Sequence, residues 1–136
     1  MATTSSPALS RLRTVALVVL GCVLVQAALG IASLTGYHQV NEVHGWIGYL
    51  GFLASIAASV FAFQASKADP RAKGLFFHAL SLPVLAIIQI GIIEMSQGAG
   101  AMKWVHVVLG FAFLVAAAGL YAMSNRKASV RSDVVA

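Results

Sequence analysis

Charged side chains are scarce in this sequence. Nine basic and four acidic residues make up 10% of its 136 residues, against about 25% in an ordinary soluble domain. What matters is where they are missing. The stretches 14–34, 43–66, 74–93 and 104–124 contain no Asp, Glu, Lys or Arg, and each exceeds the roughly 18 apolar residues needed for a helical span. These helices also lack the polar stripe a soluble bundle would require. Cysteine is nearly absent too. Cys22 stands alone, which excludes an intramolecular disulfide and a thiolate metal cluster; mid-span, it reads as a small buried apolar residue. Nothing resembles a phosphate loop, a Ser-His-Asp set or a dinucleotide fingerprint.

What is present is hydrophobic residues, 60% of the chain. Connectors and tails are short, so the expectation is one domain over 1–136. The fold class expected is all-α: a polytopic membrane protein with four transmembrane helices in an up-down bundle. The net charge of +5 first suggests nucleic acid, but its placement argues for no nucleic acid. Arg11, Arg13, Lys67, Arg71, Lys73, Arg126, Lys127 and Arg131 fall on one side of the four spans, and only Lys103 on the other. That is the positive-inside pattern, which predicts both termini in the cytoplasm, as in a bacterial plasma membrane, with membrane lipid as the first partner. Span one is longer than the usual signal-peptide core and reads as uncleaved.

Residues 1–10 and the tail after Ser124 read as polar, and the tail as frayed. Asp69-Pro70 marks a turn between spans two and three, and 98–103 form the second external loop. Pro83 removes a backbone hydrogen bond inside span three and predicts a kink.

The chain repeats itself. Val25-Gln26 through Val43-His44 and Gly48 matches Ile88-Gln89 through Val105-His106 and Gly110. Each half is a helical hairpin with Gln midway along its first helix and His at the start of its second. Two such hairpins about a pseudo-two-fold axis along the membrane normal build a four-helix bundle.

An ionisable side chain within a span signals a functional site, and two at matched depth signal it more strongly. Spans two and four are parallel and diagonal in an up-down bundle, so His44 and His106 meet near its axis. Gly48 and Gly110, four residues on, share their faces and leave room for a flat macrocycle. These residues point to bis-His ligation of one haem, b-type, with His44 and His106 as the iron ligands and Gly48 and Gly110 as cofactor-binding positions. Zinc or copper fits less well, because no Cys or carboxylate cluster accompanies the pair. Two interfacial histidines without a ligand is the plainer alternative.

The run Val25-Gln26-Ala27-Ala28-Leu29-Gly30-Ile31-Ala32-Ser33-Leu34-Thr35-Gly36, followed by Val43-His44, resembles heme A synthase. That family is usually an eight-span protein of two similar four-helix halves. Each half has a His pair at the external starts of its second and fourth helices. The chain resembles one such half over nearly its whole length. The resemblance implies His44 and His106 as axial ligands, with the haem toward the external side. The family's catalytic half has a glutamate three residues before the first histidine. Here that place is Asn41, and the acid is Glu42, turned by about 100° on a helix. The external cysteine pair of some members is absent.

Other polar residues read more plainly. Glu42 and Glu94 are weak catalytic candidates. Glu94 is first an interfacial carboxylate beside Lys103, with a proton relay as its other reading. His78 has no partner histidine at its depth and reads as hydrogen-bonded or facing headgroups. His38 reads as solvated, Gln26 and Gln89 as helix-gluing residues. Trp46, Trp104, Tyr37 and Tyr121 form an aromatic belt. Three functions follow. The first is a b-type cytochrome serving electron transfer or a respiratory complex. The second is a haem-modifying oxidoreductase of the heme A synthase type, acting with a second copy of itself. The third is a haem-free accessory subunit.

Overall fold

The computed structural model describes residues 7–96 and 100–133, without the side chains of 127–133. Four helices, α1 (Pro7–Leu34), α2 (Asn41–Ala68), α3 (Lys73–Ser96) and α4 (Ala101–Asp133), account for almost all of them, with short 3-10 turns at His38–Val40 and Pro70–Ala72. All four are long and apolar enough to cross a membrane. Packing runs α1 on α2, α2 on α3, α3 on α4 and α4 on α1. This is an up-down four-helix bundle with α2 and α4 diagonal, as expected from the sequence.

The first and last helices extend further toward the termini than the polar composition there suggests. α1 begins at Pro7 and α4 continues to Asp133, so 7–10 and 125–133 are helical rather than loose. Pro7 suits a first helical position, where its missing N–H would have no partner anyway. Arg13 Nε donates to Asn125 Oδ1 at 2.8 Å and ties the two terminal segments together. Residues 1–6, 97–99 and 134–136 lie outside the described residues. Of the second expected loop, 101–103 already belong to α4.

The turns follow local chemistry. Gly36 has φ +106°, its N–H bonds Ser33 O, and Tyr37 N–H bonds Ala32 O. This Schellman closure satisfies the last carbonyls of α1. Asp69 is extended before Pro70, as sterics require, and its carboxylate accepts from Arg71 N at 3.0 Å.

The buried positions show one rule. On α1 they include Leu9, Leu12, Ala16, Val19 and Val23; on α2 Gly51, Ser55, Ala58, Ala62 and Ala65; on α3 Leu75, Ala79, Leu82, Ala86 and Gln89. Phe113, Ala117, Leu120 and Ser124 complete the set on α4. Steps of three and four alternate on every helix, the seam of a left-handed bundle. Alanine and serine let the backbones approach closely. Large side chains such as Leu17, Leu53 and Val115 point outward, as they do against lipid.

α3 runs through Pro83. Proline deprives the carbonyl four residues earlier, Ala79, of its amide partner. Ser59 Oγ of α2 lies 3.0 Å from Ala79 O and 2.9 Å from its own Ser55 O. The Ser59 hydroxyl is thus within hydrogen-bond distance of the carbonyl that Pro83 leaves without an amide partner.

Candidate functional site

The inward seams do not stop where the buried residues stop. Continuing each by threes and fours reaches Gln26 and Gly30 on α1, Gly48 and His44 on α2, Ile93 on α3, and Gly110 and His106 on α4. All seven line one cavity of about 660 Å³ at the bundle end opposite the chain termini. The cavity therefore occupies the place where the hydrophobic core would continue. Small and polar residues on the seam leave it open, and its volume is within the roughly 300–1,000 Å³ of small-molecule sites.

His44 and His106 face each other across it. Their ring centroids are 6.1 Å apart and their planes are inclined by 59°. Two imidazoles bound to one metal ion, each through a nitrogen about 2.0 Å from it, have ring centres roughly 6 Å apart. The separation fits shared ligation. A ligating histidine also needs its second nitrogen held. His106 Nδ1 meets Gln89 O at 3.3 Å. Around His44 the matching acceptor is the Gln26 backbone, but the geometry falls short of a hydrogen bond and buried Nδ1 has no partner. Neither Nε2 hydrogen-bonds among the described residues. That leaves each a free nitrogen for ligation.

The two glutamines sit one turn deeper. Gln26 Nε2 donates to His44 O at 2.7 Å and so fastens the first turn of α2 to α1. Gly48 permits it: a Cβ there would lie 2.5 Å from Gln26 Nε2. A Cβ at Gly110 would lie 3.2 Å from Gln89 Nε2. Both glycines line the cavity, and the space closest to them is used by the glutamine amides. A Cβ at Gly30 would meet His44 Cε1 at 3.4 Å, an ordinary van der Waals contact. Buried Oε1 atoms of Gln26 and Gln89 have no partner, leaving two acceptors in the cavity wall.

The remaining candidates divide. Glu94, Lys103 and Asn41 line the cavity, whereas Glu42 does not. Asn41 accepts from Ser33 Oγ at 2.6 Å. Trp46 and Trp104 are 70% and 60% exposed, point outward and are not in the cavity wall, which suits a belt. His78 is far from the pair in sequence and space; its Nε2 hydrogen-bonds Ala116 O at 2.8 Å, beside Gly119, and joins α3 to α4. Tyr49 and Phe111 also line the cavity and were missed in the sequence. Their signal was available: each lies five residues after its histidine, at matching places in the repeat.

Among the described residues no group of three or more His, Cys, Asp or Glu side chains could hold a metal ion, so a four-ligand structural zinc has no donor set. Comparison of the chain with protein-family models, curated proteins and solved structures gives no match.

Proposed function

We propose that the chain is a small membrane haem protein, with one b-type haem held between His44 and His106. The observation that carries this reading is the imidazole pair, 6.1 Å between ring centres, at the head of a cavity of about 660 Å³. Bound there, haem supplies one-electron redox chemistry. The protein's residues then do the positioning. Gln89 O holds the His106 ring, and the Gln26 amide holds the backbone of His44. His44 and His106 would supply two nitrogen ligands to the haem iron, a ligand set that favours electron transfer over oxygen binding.

The likeness to one half of heme A synthase belongs to the same proposal, as do a bacterial plasma membrane, cytoplasmic termini and service to a respiratory complex. The basic residues gathered at the terminal end of the bundle support that orientation. Haem modification by a homo-oligomer is the second reading. Its support is Glu94, an acid in the cavity wall.

The ligand assignment is tested by substitution. His44→Ala and His106→Ala each abolish low-spin haem in purified protein, while His78→Ala retains it. Full haem retention in either of the first two variants rejects the assignment.

A further inference from the structure

A hydrogen bond crosses between the two helices of each hairpin at the cavity end. Gln26 to His44 bridges α1 and α2; Gln89 to His106 bridges α3 and α4. The other two seams, α2–α3 and α1–α4, also contribute lining residues, and a register for them can be extrapolated from contacts lower in the bundle. Phe63 of α2 packs on Phe76 of α3, ring centroids 5.4 Å apart. Two heptads toward the cavity, a constant register would carry these faces to Tyr49 and Ile90, and one turn further to Gly45 and Glu94. Arg13 of α1 bonds Asn125 of α4. Two heptads on, the same register would set Ala27 against Phe111, then Ile31 against Val107, with Lys103 one turn beyond. All of these residues line the cavity.

The repeat makes these edges equivalent in backbone, yet their chemistry differs. The α2–α3 edge has the carboxylate of Glu94, where its counterpart has Ile31. The α1–α4 edge ends in Lys103, where the other hairpin has Asn41. Lys103 is the single basic residue on its side of the four spans. No carboxylate pairs with it among the described residues, and its Nζ rests 5.5 Å from the centre of the Trp104 ring. Such a weakly held ammonium on a flexible stem, at the rim of an apolar cavity, can turn inward to meet an anion.

We propose that Lys103 is the anion subsite of the cavity: it receives a carboxylate of a flat, apolar ligand and turns that ligand's acidic edge toward α1–α4, away from Glu94. The inference rests on the haem reading and adds an orientation to it. It accounts for the one cation at this end of the molecule. A macrocycle bearing carboxylates on one edge has its apolar edge directed toward the seam residues deeper in the bundle, and its charged edge at the rim, where water reaches it.

The test uses the full chain in detergent at low salt, titrated with haem b and with haem b dimethyl ester, whose carboxylates are masked. The ratio of the two affinities, compared between wild type and variants, cancels differences in partition. Wild type prefers the free acid about threefold or more, the size expected of a partly exposed charge pair. Lys103→Gln loses that preference, Lys103→Glu reverses it, and Lys103→Arg keeps it. A low-spin complex with equal preference in wild type and Lys103→Gln overturns the subsite alone. Failure of both ligands to give a low-spin complex in wild type overturns the haem reading and the subsite with it.

Discussion

The bundle has two ends built on one seam. Toward the chain termini, the seam positions are Leu12, Val19, Leu82, Leu120 and close-packed alanines, and they are buried. Toward the other end the same steps of three and four place Gln26, Gly30, His44, Gly48, His106 and Gly110, and there the helices enclose a cavity. The steps of three and four do not change between the two; the side chains do. A lipid-soluble bundle gains little from burying apolar surface, because lipid tails are as apolar as leucine, so close packing and interhelical hydrogen bonds hold it together. The terminal end has the packing. The cavity end relies on hydrogen bonds, the two glutamine–histidine links and that of Ser33 to Asn41.

That contrast can be broken from either side. The largest expected effect is ligand-linked. Haem at one hundred times its dissociation constant adds about 2.7 kcal/mol to the stability of the bundle, read as the shift in equilibrium unfolding in mixed detergent. The same haem adds nothing measurable to His44→Ala. Next come core truncations. Leu12→Ala or Leu82→Ala in the packed end costs about 2 kcal/mol, mainly through the cavity left behind, whereas Ile93→Ala at the cavity wall costs under about 0.5 kcal/mol. Equal costs at both ends would remove the distinction.

Gly48→Ala sharpens the comparison within the cavity end. Its methyl group collides with the Gln26 amide and displaces it from His44 O, at a cost of about 1 kcal/mol; Gln26→Ala removes the same bond and costs about as much, so adding Gly48→Ala to it costs little more. Gly110→Ala, with a Cβ 3.2 Å from Gln89 Nε2, costs less than Gly48→Ala. Ser59→Ala has the smallest effect among the hydrogen-bonding residues. It leaves Ala79 O without the donor that compensates for Pro83 and costs about 0.6 kcal/mol, the average for such bonds between transmembrane helices.

The fold was legible because the membrane leaves few choices. Charge-free stretches of sufficient length form helices, and short connectors make neighbours antiparallel. The histidine pair was legible for the same reason: parallel diagonal helices bring residues at matched depth together. The ends were harder to read. Polar residues at 7–10 and 125–133 do not look helical alone, but Arg13 and Asn125 bond across α1 and α4. Also hidden was the partnership of each glycine with a glutamine. The repeat displayed Gln26 with Gly48 and Gln89 with Gly110, yet only the interhelical register puts each amide on its glycine. Glu42 and Asn41 are adjacent in sequence, and the turn of the helix alone decides that Asn41 lines the cavity and Glu42 does not.

The central claim is tested most directly by a reduced-minus-oxidised visible spectrum of detergent-purified protein, with pyridine haemochrome analysis of the same sample. The account predicts a sharp low-spin b-type alpha band at about one haem per chain. A protein that remains colourless after reconstitution with haem would contradict it.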